Sequence, residues 1–126
     1  MPVVDTSVIL RLLTMDDENK AKRFLSYLKV NRVVLVDMVF AEVAWTLSTY
    51  YKFPKNNVLS GLRLLITNSQ ITFDRQLLEQ TLSLYERHNI KFIDCYLSAS
   101  ALHTDGQILS YDKDFNRIAD LKRVEP

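Results

Sequence analysis

Glycine is scarce in this chain, with 2 among 126 residues. A Gly-rich phosphate-cradling loop is therefore excluded, and neither a G-x-G-x-x-G nor a Walker A pattern occurs. Nucleotide-cofactor chemistry built on such loops falls away with it. Cysteine is scarcer still: Cys95 stands alone, so no intramolecular disulfide can form. Long apolar runs are also missing, none approaching the ~18 residues that would span a bilayer. No positively charged leader precedes an apolar segment near Met1. Charge of one sign is not in excess, since 16 Lys and Arg face 15 Asp and Glu for a net +1. That balance does not announce nucleic-acid binding, for which clustering matters more than the sum. These absences lead to the expectation of a soluble, cytoplasmic protein with no membrane association.

What is present is the material of one ordinary domain, read as spanning residues 1–126. A chain of this size buries roughly two-thirds of its unfolded surface and needs no covalent staple. Val3-Val4 reads as a short strand, and the run from Val8 to Leu13 as the start of a helix. Asp16 to Val30 is amphipathic, with Ala21, Phe24, Leu25 and Leu28 on one face. Val33 to Val36 is a continuous apolar run suited to a strand covered on both faces. Asp37 is expected to cap a helix from Val39 to Tyr51, and Pro54 to start another from Lys55 to Asn68. "QITF" reads as a strand, and Asp74 as the cap of a helix from Arg75 to His88. A further helix is expected around "FIDCYLSASAL", capped at Asp94 and stopped by Gly106. Gln107 to Ser110 reads as a strand, and Val124 as part of a last one. Short apolar strands alternating with helices predict an α/β domain with a mainly parallel sheet.

Carboxylates recur at comparable places in this pattern. Asp5 follows the first strand, Asp94 opens a helix, and Asp112 and Asp114 follow "QILS". Parallel sheets place their ligands outside the carboxyl ends of their strands. Glu42 is the fourth: three and four positions away stand Met38, Val39, Trp45 and Thr46, none of them a cationic partner. Its apolar flanks suggest the rim of a buried face, where a carboxylate needs a partner such as a metal ion. Ionised carboxylates drawn within a few Å repel one another unless a cation joins them. Hard ions such as Mg²⁺ or Mn²⁺ prefer such oxygen ligands and often keep waters. An acid-only pocket suits metal-assisted phosphodiester hydrolysis better than nucleophilic catalysis by the protein.

"VVDTSVIL", "AEVAWTL", "FIDCYLSASAL" and "SYDKDF", in this order, resemble the acidic motifs of the PIN-domain nucleases, closest to the small VapC-type ribonuclease toxins. The resemblance runs from Val3 to Phe115. It implies a three-layer α/β/α sandwich around a mainly parallel sheet, Mg²⁺ or Mn²⁺ as cofactor, and hydrolysis of RNA. It matches Asp5, Glu42 and Asp94 to the family's first three acids. The fourth falls at Asp112 or Asp114, with Asp112 favoured because it directly follows the strand and its Ser-Tyr exit. Asp114 is then a second-metal or supporting residue. Thr6, Ser7 and Ser110 match hydroxyl residues that orient a carboxylate or hold a water. The resemblance also implies a homodimer and, for a toxin, a small antitoxin partner.

Each residue has a plainer reading. Asp5 and Asp94 could simply cap helices, and Asp112 and Asp114 could form Asx turns. His88 and His103 read as surface or helix-end residues, and Trp45 with Tyr50-Tyr51 as core or interface rather than a stacking platform. Cys95 reads as a small buried side chain. Arg11, Lys52, Lys113 and Arg117 could line an RNA path or merely keep a surface solvated. The competing function is a non-catalytic PIN-like module binding RNA or protein. A phosphotransfer domain is disfavoured, because "DTS" lacks the second acid that such sites place at the first strand.

Overall fold

The computed structural model describes residues 1–126. Two compact units make up the chain, Met1–Asp74 and Arg75–Pro126.

In the N-terminal unit, α1 (Thr6–Thr14) begins where Asp5 leaves extended backbone, and α2 (Glu18–Leu28) begins at Asp17. Each of these aspartates caps its helix by accepting a backbone N–H, Asp5 from Ser7 and Asp17 from Lys20. Asp16, the expected first residue of the second helix, instead lies before the cap and pairs with Arg11 at 2.7 Å. β1 (Val33–Val34) pairs in parallel with β2 (Ile71–Thr72), Val33 opposite Ile71 and Val34 opposite Thr72. Val3 adds an isolated parallel bridge to Val34, fixed by Val4 N–H to the Val34 carbonyl at 2.9 Å and Val34 N–H to the Pro2 carbonyl at 2.8 Å.

The strand expected over Val33 to Val36 is thus shorter, for a physical reason. Val36 is already the N-cap of α3 (Asp37–Trp45), its carbonyl accepting the N–H groups of Val39 and Phe40. The cap expected at Asp37 moves back one residue for the same reason, and Asp37 sits in the first turn, where a negative charge meets the positive end of the helix dipole. The helix expected to run unbroken to Tyr51 loosens after Trp45 into a π turn, Thr46–Tyr50, closed by Tyr51 N–H to the Thr46 carbonyl at 3.0 Å. α4 (Lys55–Thr67) starts after Pro54 and buries Val58, Leu59, Leu62, Leu65 and Ile66. It passes so near α1 that a Cβ on Gly61 would stand 3.3 Å from a Leu13 methyl. Phe40, Val43, Leu47, Leu62 and Leu65, all 1% exposed or less, form this unit's core with Ile9.

In the C-terminal unit, α5 (Arg75–Arg87) packs on α6 (Phe92–Leu102). Leu78, Leu82 and Tyr85 from α5 and Phe92, Cys95 and Ala99 from α6 are buried, with Tyr85 and Phe92 meeting edge to face at 5.7 Å. The buried hydroxyls of Thr81 and Ser98 each bond a carbonyl four residues back at 2.7 Å, so neither is left unsatisfied. The helix ends at Leu102, and Gly106 takes a left-handed φ of 77° while its N–H reaches the Ala101 carbonyl. β3 (Gln107–Leu109) then pairs in parallel with β4 (Lys122–Val124), joined by a 3₁₀ turn, Lys113–Arg117, that buries Phe115.

Every strand pairing is parallel, and helices separate the strands of the N-terminal pair, so the chain has the α/β character expected of it. No helix is long and apolar enough to cross a membrane.

Candidate active site

Asp5 is exposed and sits where the bridged segment turns into α1. Its Oδ2 accepts both the Ser7 backbone N–H, at 3.1 Å, and the Ser7 hydroxyl, at 2.6 Å. The Ser7 hydroxyl, then its backbone N–H, hold the Asp5 carboxyl below the ordinary carboxylate range, because both donors favour the charged form. The capping reading of Asp5 is therefore what the structure shows, and it leaves the carboxylate ionised and facing solvent. Thr6 is buried, so of the two hydroxyl residues that follow it is Ser7 that orients the acid.

Glu42 departs from its expected setting. Rather than lining the rim of a buried face, it lies on the exposed side of α3, while Phe40, Val43 and Ala44 turn inward. Its carboxylate has no ion-pair or hydrogen-bond partner. Met38 and Trp45, four residues before and three after, flank it on the same helical face and are 83% and 63% exposed. With Tyr50 at 74%, Trp45 is a surface residue and no part of the core. The apolar flanks that suggested burial thus belong to an open face.

In the C-terminal unit, Asp94 lies in the first turn of α6. The cap expected there falls instead on Lys91, whose carbonyl accepts the N–H groups of Asp94 and Cys95. Asp94 is half-buried, and its carboxylate makes no hydrogen bond. Burial raises its pKa, the nearby charge of Asp112 raises it further, Lys91 partly opposes this, and Asp114 adds to the rise. Three carboxylates of this unit therefore share one electrostatic neighbourhood.

The loop that carries the other two is closely braced. Ser110 Oγ accepts the Asp112 N–H at 2.9 Å, and Asp112 Oδ1 accepts the Asp114 N–H at 2.9 Å, capping the 3₁₀ turn in an Asx-type arrangement. Arg123 donates to the Ser110 carbonyl at 3.0 Å from the neighbouring strand. Asp114 pairs with Arg117 at 3.6 Å, whereas Asp112 is exposed and has no ion-pair partner.

The donor chemistry of Asp94, Asp112 and Asp114 is all-oxygen and anionic, which suits a hard divalent cation. In neither unit do three or more Asp, Glu, His or Cys side chains gather as a ready-made metal cage. His103 stands exposed at the C-cap of α6, His88 directly follows α5, and Cys95 is fully buried, so none of the three joins the acids. Among the basic residues, Arg117 is held by Asp114 and Arg11 by Asp16. Lys20 and Arg23, which sequence reading passes over, line a cleft of about 350 Å³ with Ser7, Val8 and Arg11. Their three-residue spacing within α2 was the available signal.

A parallel-stranded α/β chain with acids at strand exits and helix starts has the makings of a nuclease-like domain. The PIN-domain family model matches residues 3–121, nearly the full length, and the chain belongs to that family. No curated protein matches the chain. PIN domains are generally metal-dependent nucleases, commonly ribonucleases, and typically use divalent metal ions.

Proposed function

We propose that this protein is a metal-dependent endoribonuclease that hydrolyses RNA phosphodiester bonds, and the toxin component of a type II toxin–antitoxin pair. The observation that carries the reading is Asp94, half-buried and pushed up in pKa beside Asp112 and Asp114, within a chain of a nuclease family. Such a cluster is costly when ionised alone and becomes favourable beside a dication.

Asp5, Glu42, Asp94 and Asp112 are the acids assigned to Mg²⁺ or Mn²⁺ and to the reaction. Asp112 is preferred to Asp114 because the latter already carries an arginine partner. Ser7 keeps Asp5 ionised, Ser110 fixes the backbone of Asp112, Asp114 donates its N–H to Asp112, and Thr6 is assigned a supporting role. When bound, the divalent ion supplies Lewis acidity toward a phosphodiester and eases deprotonation of the attacking water. An apolar groove of about 620 Å³ in the N-terminal unit, lined by Leu12, Leu13, Met15, Leu25 and Leu64, supports an amphipathic antitoxin segment as partner. The open face of Met38, Trp45 and Tyr50 supports a homodimer. The lone thiol and the absence of a spanning helix fit a cytoplasmic setting.

The test is cleavage of a structured RNA with Mn²⁺ or Mg²⁺, comparing the wild type with Asp5→Asn and Asp94→Asn. Cleavage that falls to background in both variants supports the reading, and equal activity in all three proteins overturns it. The lack of a ready-made three-residue cage favours, as second reading, a non-catalytic module that binds RNA or protein. Calorimetric titration with Mn²⁺ separates the two: RNA binding with no metal uptake selects the module.

A further inference from the structure

The cleft lined by Ser7, Val8, Arg11, Lys20 and Arg23 has a chemistry of its own. One wall is α1 and the other is α2, and three of its five lining residues are cations. Two of these are restrained by acids on the intervening turn. Arg11 bonds Asp16 at 2.7 Å, and Lys20 lies 4.0 Å from Asp17. Arg23 is exposed and has no ion-pair or hydrogen-bond partner. The acids thus offset two of the three positive charges, and Arg23 is the cation of the cleft that no acid engages. Ser7 forms part of the same wall, and its hydroxyl and N–H hold the Asp5 carboxylate. The cleft therefore abuts one of the acids assigned to the reaction.

We infer that this cleft is a subsite for the phosphodiester backbone of single-stranded RNA, with Arg23 as its free anchor. The inference rests on the nuclease reading for the identity of the polyanion, and on the cleft itself for the place. Arginine suits the task because its planar fork meets two phosphate oxygens at once and keeps its charge at any working pH. Arg11 and Lys20 stay beside their acids, so the charge that engages the strand comes from Arg23. A strand seated there runs past Ser7 toward Asp5. Arg23 is a positioning residue: it fixes the register of the strand and takes no part in bond breaking. An exposed arginine on the polar face of α2 contributes little to folding, so its replacement is tolerated.

The experiment measures binding of a fluorescent 12-nucleotide mixed-sequence RNA to the full chain in EDTA, where no cleavage interferes, across a range of salt concentrations. Arg23→Gln is expected to weaken binding about three- to tenfold at low salt and to flatten the log–log salt slope by about 0.7, the value for one lost single-strand phosphate contact. Arg23→Lys should restore part of the affinity, and thermal melting should be the same for all three proteins. Wild-type affinity and slope in Arg23→Gln overturn the subsite, whatever the cleavage assay shows. A poly-glutamate peptide of equal charge is the control. If Arg23→Gln weakens the peptide and not the RNA, the cleft serves an acidic protein partner and the inference is overturned. If Arg23→Gln weakens the RNA while the wild type cleaves nothing with either metal, the subsite stands and the nuclease reading falls.

Discussion

Asp5, in the N-terminal unit, sits at a helix N-terminus with two donors from Ser7 on one oxygen. Asp94, in the C-terminal unit, sits half-buried with no hydrogen bond to its carboxylate and with Asp112 and Asp114 for company. The same side chain is thus pulled in opposite directions, below its ordinary pKa at Asp5 and above it at Asp94. The contrast teaches that residue type at a motif position does not set the charge state; the local donors and charges do. It also divides the labour. Asp5 is stabilised by donors from the protein itself, whereas ionised Asp94 meets burial and two like charges that Lys91 offsets only in part, so on the proposed reading a divalent cation should act most strongly on the C-terminal unit.

The largest expected effect concerns what holds Asp94 in place. Phe92, 5% exposed and stacked edge-on with Tyr85, anchors the turn that carries it. Phe92→Ala should cost about 3–5 kcal/mol in chemical denaturation, and it should also weaken Mn²⁺ binding. A loss of under ~1 kcal/mol would mean that α6 is not fixed through this contact.

A metal-free comparison of Asp5→Asn and Asp94→Asn by thermal melting tests the contrast directly, because the two should differ in sign. The folded protein binds a proton at Asp94 more tightly than the unfolded chain does. Its penalty is therefore absent below the ordinary carboxylate range, grows as pH rises from there through the raised pKa, and is complete above it. Asp94→Asn should accordingly raise the melting temperature at neutral pH and lose that gain in acid. Asp5 works in reverse: its contribution is complete above the ordinary value and is lost as pH falls through the depressed one. Asp5→Asn should lower the melting temperature at neutral pH, with the difference closing in acid. Shifts of the same sign would dissolve the contrast.

The smallest effect is the finest probe. Ser7→Ala removes the hydroxyl donor and leaves the backbone N–H in place. The carboxyl-carbon titration of Asp5, followed by NMR, should move up toward the ordinary range without reaching it. A midpoint unmoved by Ser7→Ala would assign the depression to the helix terminus alone.

Much of this architecture was legible because it is written in local chemistry. The apolar face of Ala21, Phe24 and Leu28 announces α2, Pro54 announces α4, and the α/β alternation follows from apolar period and spacing. The misplaced details share a cause. Val36 and Lys91 cap their helices through backbone alone, without a side-chain bond, so the polar residues beside them drew the expectation. The π turn depends on a hydrogen-bond register that no residue type encodes. For the acids, Asp5 and Asp112 stand on the expected element boundaries, supported by Ser7 and Ser110, whereas Asp94 lies in the first turn of α6 and not at its cap. The exposure of Glu42 is not legible in the sequence, because apolar neighbours resemble the flanks of a buried face, yet Met38 and Trp45 are exposed as it is. Arg23 was overlooked because a cation on an amphipathic helix looks like ordinary solvation until a neighbouring helix makes a cleft of it.

Cys95 gives the chain a built-in clock. It is the sole thiol, wholly buried, and one residue after Asp94 on the face of α6 opposite to solvent. A thiol reagent reaches it only when that helix lifts from its packing, so the labelling rate counts openings of the turn that carries Asp94. On the proposed metal reading, the same rate should fall as Mn²⁺ is added.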